Sequence, residues 1–399
     1  MVKTIKESIV NLAAWLERHH YEAYDPGDGN LSYLHPLTFN IILLERFLQQ
    51  AVYRAPCNLR PILGIGPHRS TKGAGYIAWA YLKMFRLYND RADAEKAISL
   101  LQWLMDNTSP GFSECCWGNN FLFSSRGGRI PKLAPTIVWS SLIGQAFLEA
   151  HEVLGDAKYL EVASSIGRWI MALPREQTDS GCCLSYVAFM QSSIHNSNML
   201  GAALLARVGQ KTNNDQALAL AEQAMLYSCS RLRPDHSWYY GEHTKHHWID
   251  NFHTAYNLDS LKRYRDASGD RQFDDCIRKA FAYFKATFIE PDGRPKYYHN
   301  HPYPIDIQCA AQAIDTLAFF AEEDDESLAL SGKVAQWTIS HMQDPDGHFY
   351  YRDLGWAVNK TPMLHWGEGT MFKALAHLLT RLSRQESTEH TRPDMAKTC

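Results

Sequence analysis

The sequence predicts an all-α protein, an (α/α)6 toroid built from repeated helical hairpins. Three observations carry this expectation. A stop–start signal recurs at Asn89-Asp90, Gly155-Asp156, Asn214-Asp215, Gly269-Asp270 and Asp324-Asp325, with the second aspartates or their equivalents spaced 66, 59, 55 and 55 residues apart. Gly or Asn fits the left-handed exit of one helix and Asp caps the next, so each signal reads as a tight helix–helix turn. Two helix types alternate around these turns. One is small and apolar, as in Gly201-Ala202-Ala203-Leu204-Leu205-Ala206, and suits an inner wall; the other is charged, as in Arg271-Gln272-Phe273-Asp274-Asp275-Cys276, and suits an outer shell. Finally, the longer loops lie on one side, each before an inner helix, and three hold near-copies: Pro234-Asp235-His236, Pro291-Asp292-Gly293 and Pro345-Asp346-Gly347. Self-similarity at this period signals stacked hairpins. An open solenoid is the rival, and the one-sided loops favour a closed funnel.

In order, Ile5, Ile9, Leu12, Ala13 and Leu16 share one face and predict a helix over 4–20. Tyr24-Asp25-Pro26-Gly27-Asp28-Gly29-Asn30 is a turn cluster. A helix is expected over 36–53. Gly64-Ile65-Gly66 lacks both the GxGxxG spacing and a preceding strand, which excludes a nucleotide fingerprint. Inner helices are expected to begin near 73, 135, 195, 250, 305 and 365, and outer ones to span 91–107, 156–172, 214–231, 270–288 and 325–343, with the N-terminal helices closing the ring. The repeat spans 1–384 as one domain, and the polar, aperiodic stretch 385–399 is expected to be a disordered tail.

The 399 residues are 45% hydrophobic, enough for a large core. A net charge of −3 gives no global field for nucleic acid or an anionic membrane, although it leaves room for a local basic site. Nine cysteines include the adjacent pairs Cys115-Cys116 and Cys182-Cys183, with no C-x-x-C and no paired zinc spacing. His243, His246 and His247 have no fixed carboxylate partner. No metal site and no cofactor is therefore expected. The N-terminus lacks an apolar signal core and no apolar run reaches 18 residues, so the expectation is a cytoplasmic chain without a transmembrane segment. Oligomeric state is not legible.

If the inner helices run the same way, their N-termini meet at one mouth. Unpaired N–H groups and about half a positive charge per helix would then favour an anionic ligand. Candidate groups come from the loops: Asp25 and Arg60; Glu114, Trp117, Asn119 and Asn120; His195, Asn196 and Asn198; Glu242, Trp248, Asp250, Asn251 and His253; Tyr297, Tyr298, His299 and Asp306; Arg352; His365, Trp366 and Glu368. Structural readings stand beside these. Asn196, Asp250 and Asp306 sit where caps belong, and the tyrosine pairs and histidines also suit packing. Their recurrence at one helical phase points to chemistry.

Cys57 to Ile65, Trp248 to Thr254, Pro295 to His299, Tyr303 to Ile307 and His365-Trp366-Gly367 resemble a bacterial family of helical-toroid proteins encoded with capsule and exopolysaccharide biosynthesis enzymes. The resemblance runs from about Tyr24 to Arg384. More distantly, the chain is similar to the helical domain of glucuronyl C5-epimerases and to unsaturated glucuronyl hydrolases. These likenesses imply an (α/α) barrel acting on a uronate-containing oligo- or polysaccharide. A cytoplasmic toroid would meet its glycan before export, which puts a lipid-linked intermediate among the candidate substrates. Family members often read Trp-Gly-Gln where this chain has Trp366-Gly367-Glu368, which puts a role tied to a neutral amide in doubt.

The leading expectation is C5 epimerisation of a uronate, or the related elimination. Tyr297 or Tyr298 with His253 or His299 would move the proton, and Arg352 or Asn251 would hold the carboxylate. Glycoside hydrolysis is the second expectation, with paired carboxyl groups drawn from Asp250, Asp306, Glu368, Glu114 and Asp25. A non-catalytic glycan-binding partner of the polysaccharide machinery is the third. The sugar and linkage are not encoded legibly.

Overall fold

A computed structural model describes residues 1–391. Its helices are α1 (Val2–Arg18), α2 (Ile42–Arg54), α3 (Thr71–Tyr88), α4 (Arg91–Asp106), α5 (Ile137–Leu154), α6 (Ala157–Met171), α7 (His195–Thr212), α8 (Asp215–Cys229), α9 (Asn251–Ser268), α10 (Asp274–Phe288), α11 (Ile307–Phe320), α12 (Ser327–Met342) and α13 (Gly369–Thr391). The odd-numbered helices from α3 to α13 pack in sequence, and α13 closes onto α3. Each of α3, α5, α7, α9 and α11 packs against the helix that follows it, and α1 backs α13. This is the (α/α)6 toroid, six inner and six outer helices, with α2 outside the count.

The two helix types differ in burial as their composition requires. Residues Ile137 to Ala150 of α5 are buried all round, whereas α4 buries only the stripe Ala94, Ala97, Leu100, Leu101 and Leu104. Inner helices approach closely where side chains vanish: a Cβ on Gly201 would lie 2.4 Å from Ile137 Cδ1. The expected turns form in part: Phe273 and Glu326, rather than Asp270 and Asp325, precede α10 and α12 without a side-chain cap, and α11 leaves through Ala321 in the right-handed region. Asn89, Gly155 and Gly269 are left-handed, and Asp90 and Asp156 cap α4 and α6. At the third turn the pattern shifts by one residue. Asn213 takes the left-handed exit and Asn214 is the cap.

The loops hold short strands that helical periodicity does not reveal. β1 (Phe123–Ser125) pairs with β2 (Gly128–Ile130), and β3 (Arg175–Thr178) with β4 (Gly181–Leu184). β5 (Ile305–Asp306) pairs with β6 (Arg352–Asp353), which pairs with β7 (Val358–Asn359). The second helix begins at Ile42 rather than 36, because His35–Thr38 forms a 3-10 turn and Phe39 and Asn40 follow it in the left-handed region. α13 begins at Gly369, after a π-type turn at Leu364–Glu368. It continues to Thr391, into the stretch expected as a tail, and 392–399 lie outside the described residues.

Candidate functional site

The N-termini of the inner helices gather at one end, tied together by the loops that precede them. Backbone bridges join Tyr24 to Met363, Gly118 to Pro135, Ile194 to Gly241 and Asp250 to Tyr298. Ser70, Thr136, Asp250 and Asp306 cap α3, α5, α9 and α11. Two of these caps also hold ionisable side chains. Asp250 Oδ1 accepts from the His253 N–H at 3.0 Å, and its Oδ2 pairs with His253 Nδ1 at 2.6 Å and accepts from Trp248 Nε1 at 2.9 Å. Asp306 Oδ1 accepts from the Gln308 N–H at 2.9 Å and from Trp366 Nε1 at 2.7 Å, while Arg352 Nε donates to Oδ2.

A second aspartate–histidine pair forms between distant segments. Asp25 Oδ1 lies 2.6 Å from His365 Nδ1 and accepts the His365 N–H at 3.0 Å. Burial opposes the Asp25 carboxylate, but His365 and His68 outweigh it and hold its pKa well below the usual range. Burial lowers the pKa of His365, partly countered by Asp25. Thus His253 and His365 each have Nδ1 against a carboxylate, which leaves Nε2 as the atom for proton transfer. Their neighbours connect them: Phe252 and Trp366, each adjacent in sequence to one histidine, have ring centroids 5.1 Å apart. The His253 side chain is 19% exposed and that of His365 is 5% exposed, so the His253 side is the more open.

Beside His365 lies a group that the sequence reading passed over. Trp139 packs edge-on to His365 at 4.9 Å, and Lys72 Nζ lies 4.9 Å from the Trp139 ring and 5.5 Å from Tyr76. Burial lowers the Lys72 pKa to about 7. Among the described residues, no carboxylate pairs with it within ion-pair distance. Tyr76 OH meets Tyr256 OH at 3.0 Å, and Gln308 Nε2 donates to Tyr256 OH at 3.0 Å. Lys72, Asn196 and Gln308 are each the second residue of their helix. Trp139 Nε1, Asn196 Oδ1 and both polar atoms of the Asn251 side chain are buried without a protein partner. Buried polar atoms are nearly always satisfied, so these atoms are left for solvent or a ligand. The available sequence signal was Lys72 itself, a lone cation opening the apolar run Gly73 to Leu82.

Other candidates are occupied elsewhere. His195 is buried, with Nε2 on Glu242 at 2.8 Å and Nδ1 on Ser228 at 3.2 Å. Arg60 is fully buried and grips Asp28 with Nε and the Asp25 carbonyl with Nη2. Trp117 is fully buried, donating to the Leu104 carbonyl. Asn120 donates to the Arg69 carbonyl at 3.4 Å. Glu114 faces α6, paired with Ser165 and Arg168. Tyr297 is buried on Phe252, and burial raises its pKa well above the usual value. Burial, then Asp250, raises Tyr298 to about 12. His299 is exposed, with its ring against the Ile249 carbonyl. Glu368 Oε2 accepts the Phe349 N–H at 3.0 Å, Oε1 has no partner, and burial raises its pKa well above the usual value.

A cavity lies at the opposite end. About 310 Å³ opens between the C-terminal halves of the inner helices, lined by residues including Lys83, Glu149, Arg207, Arg263, Asp315 and His377. Elsewhere, Asp344, Asp346 and His348 bring potential metal-ligand atoms within 4.8 Å of one another on the loop after α12. Asp346 Oδ1 already accepts the His348 N–H and contacts its Nδ1, so this cluster builds its own turn.

No protein-family model matches the chain, and no curated protein matches it in sequence. Solved structures do match the fold. An unsaturated glucuronyl hydrolase specific for heparin aligns at TM-score 0.63 and 12% identity, covering 96% of this chain and 97% of that one. Cellobiose 2-epimerase from Bacillus thermoamylovorans B4167 aligns at 0.62 and 10% identity, covering 81% and 90%. A D-mannose isomerase aligns at 0.59 and 12% identity, covering 79% and 88%. At these identities the likeness is one of fold.

Proposed function

We propose that this protein is a saccharide-modifying enzyme that moves a proton at C5 of a uronate residue, with His253 and His365 as the two proton-transfer groups. The observation that carries this reading is the pair of aspartate-backed histidines at the mouth that also holds the unpaired Lys72. One Nε2 takes the C5 proton and the other returns a proton to the opposite face. Abstraction next to a carboxylate places charge on its oxygens, and the Lys72 ammonium is the group available to neutralise it. Asn196, Asn251 and Trp139 would meet sugar hydroxyls, and Trp366, Trp248 and Phe252 would pack against ring faces. An elimination shares the first half of this chemistry. The sugar-acting names of the similar structures support a saccharide substrate, and the resemblance to the capsule and exopolysaccharide family supports a biosynthetic setting.

Hydrolysis needs two carboxyl groups about 5–9.5 Å apart with free oxygens facing the bond to be cleaved. Asp250, Asp306 and Asp25 are each engaged by a cap, a histidine or an arginine, which weighs against that reading. The test is proton NMR of glucuronate-containing oligosaccharides incubated with the protein in D2O. Deuterium at C5 in an intact chain supports the proposal. An unsaturated H4 signal identifies elimination, and new reducing ends without unsaturation identify hydrolysis. Binding without any of these changes overturns the catalytic reading in favour of a glycan-binding partner.

A further inference from the structure

α2 is inside out. Its buried stripe is Glu45, Gln49 and Val52, so two of three buried residues are polar. Glu45 accepts from Ser124 Oγ at 2.7 Å and from Arg129 at 2.8 and 3.0 Å. Gln49 bonds Asn30 and both backbone groups of Ser124. These bonds clamp α2 to the β1–β2 hairpin by its polar face. Its apolar face, with the turn before it, points outward: Phe39 is 75% exposed, Phe47 74% and Leu43 66%, joined by Leu37, Ile41 and Ile62. An amphipathic helix in a soluble fold normally does the reverse. A contiguous apolar patch of this kind marks an interaction surface. The same end of the barrel adds exposed Trp356, Phe189 and Tyr303 from other loops that precede inner helices.

The charge around the patch selects its partner. Between Leu31 and Gly66 the one carboxylate is Glu45, buried and paired, and from Cys115 to Leu148 there is none. Exposed Arg54, Arg126 and Lys132, with half-buried Arg46, make this face locally basic on a chain of net charge −3. Among the described residues no helix is long and apolar enough to cross a membrane. Exposed aromatic and aliphatic side chains on segments that carry arginine and lysine but almost no carboxylate fit a surface that lies in the headgroup layer of an anionic bilayer. A second copy across a two-fold axis would set these like charges against each other.

We propose that the 31–62 segment docks the chain on an anionic membrane surface and turns the barrel mouth toward it, so that the saccharide is presented on a lipid carrier. The part that concerns the saccharide rests on the uronate reading; the docking itself does not. The test is flotation of the full chain with vesicles of phosphatidylcholine and phosphatidylglycerol, against phosphatidylcholine alone. The expected result is flotation with the anionic vesicles that weakens with added salt. The triple variant Phe39→Ser, Leu43→Ser, Phe47→Ser loses at least about tenfold in partitioning, since three buried side chains are withdrawn from the bilayer. Its melting temperature does not fall, because all three are exposed in the free protein. Arg54→Glu with Arg126→Glu weakens binding to the anionic vesicles. Absence of flotation overturns the proposal. So does sedimentation showing a dimer that the triple variant dissolves, which would make the patch an interface between copies. Flotation requires no turnover, so vesicle binding by a protein inactive on uronates would sink only the catalytic reading.

Discussion

Asp25 and His365, 340 residues apart in the chain, stand 2.6 Å apart at the barrel mouth, and the same carboxylate accepts the His365 backbone N–H. The turn cluster after α1 thereby orients a side chain just before α13. Asp250 does the same for His253 within one helical turn. In both cases Nδ1 faces a carboxylate, which leaves Nε2 as the nitrogen outside the pair.

His253→Gln and His365→Gln should each lower C5 proton exchange by about 10²–10⁴-fold, the usual contribution of a positioned acid or base. Saccharide affinity, measured by calorimetry, should change far less. Loss of binding in step with exchange would assign these histidines to recognition instead.

On the proposed reading, Lys72 would tie uronate binding to pH. Its pKa in the free protein is lowered to about 7 from 10.5 by burial. Affinity for a uronate oligosaccharide should therefore fall above about pH 7, approaching tenfold per pH unit until the pKa of the bound form is reached. Lys72→Met should be weak-binding and flat over this range. The stability sign is the opposite. The unfolded chain holds the Lys72 proton between about 7 and 10.5 while the folded one releases it, so this group's contribution is present above 10.5 and lost as pH falls through about 7. The variant should lack that slope in urea titrations.

Arg352→Ala should cost about 3–5 kcal/mol in chemical denaturation, because it strands the fully buried Asp306 carboxylate without its cation. Adding Asp306→Asn should restore part of the loss, since Asn still caps α11 and still accepts from Trp366. A double variant no better than the single one would show that Arg352 acts by packing alone.

Glu368→Gln should stabilise the protein at neutral pH. Burial raises the Glu368 pKa well above 4.5, so the folded state retains a proton that the unfolded chain gives up. That contribution is complete below about 4.5 and is lost as pH rises toward the folded value. The gap between variant and parent should therefore narrow as pH falls from 7 to 5, as followed by thermal melts. A constant gap would place the effect in packing.

The sequence by itself determined the ring of hairpins. Left-handed exits at Asn89, Gly155 and Gly269, caps at Asp90 and Asp156, and the contrast of inner and outer helices are local properties, set by backbone sterics and helical periodicity. It also placed Asp250, His253, His365 and Asp25 at one end. Tertiary structure alone decided which of these groups face each other. Asp25 meets His365 only when the ring closes, Arg352 meets Asp306 only through the pairing of β5 with β6, and His195 is tied to Glu242 by a loop crossing. Lys72 joins this cluster because the aromatic faces of Trp139, Tyr76 and Tyr256 surround it from three different helices. Periodicity reports which face of a helix is buried, but pairing across a barrel depends on long-range geometry that no local window contains.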